Sequence, residues 1–287
     1  MTNTQVEQQT APENNPAQIT LLKIREWGAC SDGRDWFREK FPQGATYGEV
    51  MNALYADKRR GDARWLADKA FRAENITAEF IESDVAAILS ATKDASEVDT
   101  GDDAQIGSSG DGAQIGSSGD YARIGSSGDD ARIGSSGDDA RIGSSGDYAR
   151  IGSSGYGAQI GSSGDDARIG SPGYGARIGS SGDYAQIGSS GYGAQIGSSG
   201  DDARIGSSGY GAQIGSSGDY ARIECTGENV TVAFAGRRGA VSLGKGGCAS
   251  LVWHDGTRNR FVNIYEGEDG IEAGVLYRIE NGKAVRA

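Results

Sequence analysis

The sequence predicts a mainly β chain: a parallel β-solenoid with two nonapeptides, eighteen residues, per coil, an α-helical domain before it and a β cap after it. Three observations predict this. From Gly101 to Ile223 the pattern G-[DY]-[DYG]-A-[QR]-I-G-S-S recurs fourteen times. Ile holds one phase in every repeat, with Ala two places before it, so each repeat carries a short two-period apolar face. The residues after the leading Gly then alternate between two types, giving Tyr-Gly at Tyr156, Tyr174, Tyr192 and Tyr210, each eighteen residues from the next.

The repeat region, 101–223, excludes a helix, since Gly at two or three positions in nine costs about 1 kcal/mol each relative to Ala. Gly and Ser richness alone would suggest a tether, but a tether has no need of an Ile in strict register. In Asp147–Ile151, Ala149 and Ile151 face one way while Tyr148 and Arg150 face the other. One Ile and one Ala cannot hold a strand alone; stacking like strands above and below supplies the missing pairing. Arg168, Gln186 and Arg204 are expected to face outward and to bond one another or Asp residues of neighbouring coils.

The flanks should cap the stack, whose end coils would otherwise present unpaired strand edges. Residues 1–18 read as a disordered tail and 19–92 as a helical domain, with helical spacing over 19–27, 35–41, 47–58, 62–71 and 76–92. Thr46 followed by Glu49 is a capping-box signature. Trp27, Trp36, Phe37, Phe41, Leu54, Trp65, Leu66, Phe71 and Phe80 supply its core. Residues 93–100 read as a linker. From 224 to 287 the repeat decays: Val230 and Val232 take the Ala and Ile phases, and larger apolar residues separated by turn signals follow. That predicts terminal coils running into a small antiparallel cap.

Composition narrows the function. Forty acidic against 28 basic residues leave a net charge of −12, which argues against direct binding to nucleic acid or an anionic membrane. One His and three separated Cys residues (Cys30, Cys225, Cys248) leave little for catalysis or metal binding and point to a reducing cytoplasm. The start of the chain lacks the basic and apolar regions of a secretory signal. His254-Asp255 has no identifiable nucleophile beside it, and the Glu266, Glu268, Asp269 turn has no metal partners, so no enzyme, cofactor or metal is expected. Ice binding is disfavoured by Arg, Gln, Asp and Tyr at the outward strand positions.

Two surfaces remain as candidates. One is acidic: Asp102, Asp103, Asp111 and Asp120 precede the first Arg of the array, and Asp165, Asp183, Asp201 and Asp219 recur every eighteen residues. A Gly-Asp pair also has a structural use, its carboxylate accepting backbone N–H bonds at a corner. The array holds 15 Asp and 8 Arg, a net −7 along a rod of about 34 Å, roughly a third of the charge density of duplex DNA. The other surface is a ladder of Tyr156, Tyr174, Tyr192 and Tyr210, which would stiffen the coils, form a contact strip, or both.

The nonapeptide resembles the calcium-binding β-roll repeat G-G-x-G-x-D-x-U-x. Aligning Ile151 with U places Ala149 on the calcium-ligating Asp and Asp147 on the fourth-position Gly. The resemblance therefore implies coil geometry without the metal. The run SGDYARIGSSG, with Cys248–Trp253 and Tyr277–Lys283 after it, also resembles nonapeptide-repeat solenoid proteins of phages and prophages over roughly 101–287. That resemblance implies a viral or mobile-element setting and carries over no catalytic residue. The leading expectation is a cytoplasmic, non-enzymatic acidic protein that inhibits a host protein with a basic surface, by partial DNA mimicry where that host protein handles nucleic acid. The alternative is a spacer or fibre component, with homo-oligomers formed through the Tyr edge.

Overall fold

The computed structural model describes residues 18–70, 75, 77–91 and 97–287. The expected tail, the linker stretch before Glu97, Phe71, and the extension of the fifth helix to Ile76 and Thr92 lie outside these residues.

Strands of four residues recur every nine residues, from β4 (Gln105–Ser108) to β17 (Arg222–Cys225), each reading Q/R-I-G-S until the last. Alternate strands pair in parallel with like residues opposite, Ile160 against Ile178 and Ile169 against Ile187. Eighteen residues therefore complete one coil, and two sheets face each other across a thin core. From β3 to β20, odd-numbered strands form one sheet and even-numbered strands the other. The stack is longer than the repeats alone suggest, about nine coils. β3 (Glu97–Asp99), within the expected linker, pairs in parallel with β5 (Gln114–Ser117). At the far end β18 (Thr231–Phe234), β19 (Ala240–Ser242) and β20 (Cys248–His254) continue the two sheets. Val232 falls opposite Ile214 and Val241 opposite Ile223, so the decaying sequence keeps the apolar phase.

The core is files of Ile and Ala, nearly all fully buried. A third file points inward as well: the Ser two residues after Ile, such as Ser153 and Ser171, is a strand residue with a buried side chain. The sequence reading left these hydroxyls in the turns. They lie inside because alternation from Ile skips one residue, and only a small side chain fits near the corner.

Every corner has the same backbone. Its leading Gly is tightly packed: a β-carbon on Gly155 would lie 1.9 Å from the Gly137 carbonyl oxygen. Two residues later the chain takes positive φ throughout the array, at Asp139 (53°), Gly157 (63°), Asp166 (55°) and Tyr184 (58°) among others. The Tyr-Gly pairs place the residue best suited to that conformation behind each stacking Tyr.

The chain ends in two antiparallel additions, β21 (Asn259–Tyr265) on β20, and β22 (Leu276–Glu280) with β23 (Lys283–Arg286) on β19. They close the last coil.

The helical domain comprises α1 (Leu21–Glu26), α2 (Ser31–Lys40), α3 (Tyr47–Ala56), α4 (Arg60–Ala70) and α5 (Ala78–Ala91). Helix α1 begins later than expected because Ile19 pairs in a two-residue ribbon, β1 (Gln18–Ile19) with β2 (Ala45–Thr46), and Thr20 caps the helix through the Lys23 N–H at 3.2 Å. Helix α2 begins earlier, at Ser31, where Cys30 Sγ accepts the Gly33 N–H. The capping box forms: Thr46 N–H donates to Glu49 Oε2 at 2.8 Å and Glu49 N–H to Thr46 Oγ1 at 3.3 Å. Phe37, Leu54, Leu66 and Phe80 are buried, while Trp27, Trp36, Phe41 and Trp65 pack around them half-buried.

The domain does not cap the first coil as expected. It lies flat on the outer face of the odd-numbered sheet, with α5 crossing β7 (Arg132–Ser135), β9 (Arg150–Ser153), β11 (Arg168–Ser171) and β13 (Gln186–Ser189). This sheet is therefore covered on both faces, while the even-numbered sheet keeps one open face. Among the described residues, β4 at the first coil pairs with a strand on one side only.

Candidate functional site

Two edges and one open face present the solenoid's repeated side chains. The corners alternate between the edges, which separates the predicted acidic residues. Asp102, Asp103 and Asp120 lie on one edge, in file with Asp138 and then Tyr156, Tyr174, Tyr192 and Tyr210. Asp111 begins the file on the opposite edge, which continues through Asp129, Asp147, Asp165, Asp183, Asp201 and Asp219. The four acidic residues at the start of the array therefore do not share one patch. Asp111, Asp165, Asp183, Asp201 and Asp219 do share one.

The carboxylates are held by backbone, though not within their own corner. Oδ1 of Asp165 accepts the Asp183 N–H at 2.8 Å, Asp183 accepts the Asp201 N–H at 2.8 Å, and Asp201 accepts the Asp219 N–H at 2.7 Å. Each Asp thus reaches its counterpart one coil on. One oxygen is used structurally, and the other is left toward solvent on side chains that are mostly exposed.

On the opposite edge Tyr cannot supply that acceptor, and ring stacking links the coils instead. Centroids are 5.2, 4.8 and 5.0 Å apart from Tyr156 to Tyr210, with planes inclined by 9–15°. The rings remain 44–59% exposed, so the ladder presents ring edges and hydroxyls to solvent while its inner faces are spent on one another.

A second alternation escaped the sequence reading. At the positive-φ position behind the acidic file, Tyr148, Asp166, Tyr184, Asp202 and Tyr220 alternate, with like residues thirty-six apart. The signal is visible in the repeats as Asp-Tyr alternating with Asp-Asp, once corners are sorted by edge.

Outward Arg and Gln residues of the covered sheet meet the helical domain, which the sequence reading did not anticipate. Under the helical domain the Arg168 guanidinium sits 4.9 Å from the centroid of Tyr47, whose hydroxyl donates to Gln186 Oε1 at 3.1 Å. Arg150 bonds Asn52 Oδ1. These polar groups are buried at a helix–sheet seam, a tertiary placement that the local alternation does not encode. On the open sheet, Arg123, Arg141 and Arg177 stay exposed beside a file of exposed glycines.

The remaining reactive groups have structural roles. Asp255 accepts the N–H groups of Thr257 and Arg258, both at 2.8 Å, and pairs with Arg260; these bonds hold its carboxyl at about 2. His254 Nδ1 accepts the Gly256 N–H. Both belong to the β20–β21 turn. Burial and the neighbouring Glu224 push the Cys225 thiol well above its ordinary value, so it does not supply a nucleophile. Among the described residues no cluster of His, Cys, Asp and Glu is placed to hold a metal. An apolar pocket of about 230 Å³ lies within the helical domain, lined by Ile24, Phe37, Leu54, Trp36, Trp65 and neighbours.

Comparison with known proteins adds information on the helical part. Residues 8–74 match the YdhT N-terminal domain, a span that takes in α1 to α4 and stops before the repeats. The chain is 52% identical over 40 residues to the "Uncharacterized protein YdhT" of Escherichia coli (strain K12), an alignment covering 14% of this chain and 15% of that protein. No solved structure matches the chain.

Proposed function

We propose that this protein is a non-enzymatic acidic binding protein whose carboxylate edge engages a basic surface on another protein and blocks it. The observation that carries the reading is the file from Asp111 to Asp219: seven carboxylates, one per coil, each fixed through a backbone N–H of the next. At about 4.8 Å per coil the file's linear charge density is comparable with that of one DNA strand, about one phosphate per 3.4 Å of helix axis. That spacing is a closer likeness to nucleic acid than the net charge of the rod suggests. It favours a partner that handles nucleic acid, with the solenoid standing in for one strand. The resemblance of the array to phage and prophage repeats supports a partner in the cytoplasm of a bacterial host.

The test exploits the bond each carboxylate makes. Asp→Asn at 129, 147, 165 and 183 removes charge but keeps an oxygen for the neighbouring N–H. Proteins retained from a host lysate by the immobilised native chain at low salt should elute at high salt and fail to bind the quadruple variant. A retained set indifferent to both changes, or none at all, would refute the acidic-edge reading.

A structural or assembly role is the second reading, favoured by the one-sided pairing of β4 at the first coil. An exposed strand of this kind invites end-to-end stacking. Sedimentation showing salt-insensitive, concentration-dependent oligomers would favour it.

A further inference from the structure

The two sheets carry the same tetrapeptide, yet only one is covered. On the covered sheet α5 lies in a trough made by the outward glycines. Ile88 and Val85 pack on Gly152, Val85 on Gly170, and Ile81 on Gly188. The pitch of an α-helix, about 5.4 Å, nearly equals the coil spacing of about 4.8 Å, so residues three or four apart meet successive glycines. The neighbouring Arg/Gln file is met by the polar groups of α3, Tyr47 and Asn52.

The open sheet repeats every part of this seat. Gly107, Gly125, Gly143, Gly161, Gly179, Gly197 and Gly215 stand in file with nothing within 4 Å of where a β-carbon would be. Beside them runs a file of Gln105, Arg123, Arg141, Gln159, Arg177, Gln195 and Gln213, and the open groove has a volume of about 1380 Å³. The Ile residues beneath remain 3–4% exposed from Ile124 to Ile214, against 0–1% from Ile115 to Ile223 on the covered sheet. The strands of this face from β4 through β16 (Gln213–Ser216) carry three arginines and no carboxylate, in a chain of net charge −12.

We propose that the open sheet is a helix-docking face. Its occupant is an amphipathic α-helix of another protein, with small or β-branched apolar residues at i, i+4 and i+7 and carboxylates beside that stripe. The apolar stripe fills the glycine trough as Ile81, Val85 and Ile88 do opposite. The carboxylates pair with Arg123, Arg141 and Arg177. This face is separate from the acidic edges, and either surface can be tested without the other.

The chain's own α5 supplies a probe, since its sequence combines the apolar stripe with Glu79, Glu82 and Asp84. A fluorescent, helix-stapled peptide of residues 77–91 is titrated into the full chain and followed by anisotropy. Saturable binding is expected. It should weaken by at least about tenfold when Gly143, Gly161 and Gly179 are all changed to Val, and again when the three arginines become Gln. The valines enter open space at ordinary φ in strands, so the fold should survive. Unchanged hydrogen-exchange protection of α5 in the variant confirms that it does. Absence of binding at about millimolar peptide, or binding untouched by the valines, overturns the proposal. So does sedimentation showing that the native chain pairs with itself through this face and that the valines abolish pairing, which would make the trough a seam between copies.

Discussion

Val85 of the helical domain occupies the space that a side chain at Gly170 would need: a β-carbon there would lie 2.6 Å from Val85 Cγ2. The glycine that follows each Ile is thus a docking surface on the covered sheet. Gly170→Val should undock α5, at an overpacking cost of about 1–3 kcal/mol. Hydrogen exchange is the measurement: amides of α5 should lose protection while those of β11 keep theirs. Equal protection before and after would mean that the seam does not depend on the trough.

The carboxylate file makes a distinction between two substitutions of one residue. Asp165→Ala removes the acceptor for the Asp183 N–H, and denaturant unfolding should register a loss of about 1 kcal/mol. Asp165→Asn keeps an oxygen in place and should lose clearly less. If both variants lose the same amount, charge rather than the hydrogen bond is what Asp165 contributes.

Stacked tyrosines should show position dependence. Tyr192 contacts a ring on either side, whereas Tyr210 stacks on one. At about 0.5–1.5 kcal/mol per aromatic pair, Tyr192→Ala should cost roughly twice what Tyr210→Ala costs. Equal losses in equilibrium unfolding would show that the ladder contributes burial but no pairing.

The cap carries a pH signature. The folded carboxyl of Asp255 sits at about 2, below its ordinary 3.8, because Arg258, Thr257 and Arg260 donate to it. A depressed carboxylate contributes stability that is complete above the unfolded value and disappears as pH falls through the folded one. Thermal midpoints of the native chain and Asp255→Ala should therefore differ by a constant amount near neutrality and converge as pH approaches about 2. A gap that persists at the acid end would assign the effect to packing.

The sequence made the solenoid legible because its determinants are local and periodic. Ile151 and Ala149 mark the inner face, and Tyr156 to Tyr210 mark the coil length, since stacked side chains must recur once per circuit. What depends on contact between distant parts stayed hidden. Gly170 looks like any other glycine of the repeat until Val85 is seen above it, and nothing in Arg168 anticipates the ring of Tyr47. The expected acidic patch failed for a geometric reason: Asp102 and Asp111 are nine residues apart, half a circuit, and so lie on opposite edges. Asp165 and Asp183, a full circuit apart, align as the spacing implies.

The coil itself is tested most directly by spin labels, in a background where Cys30, Cys225 and Cys248 are Ser. The last two changes are mild on structural grounds: Cys225 already lies opposite Ser207 in the inward Ser file, and Cys248 is only partly buried. Nitroxides at Ser145 and Ser163, eighteen residues apart and both exposed, should sit about one strand spacing, ~4.8 Å, from each other at the backbone and give strongly broadened spectra. Labels at Ser145 and Ser154, nine apart and both exposed, should give sharp ones. Sharp lines from both pairs, or broadening confined to the nine-residue pair, would contradict the eighteen-residue coil.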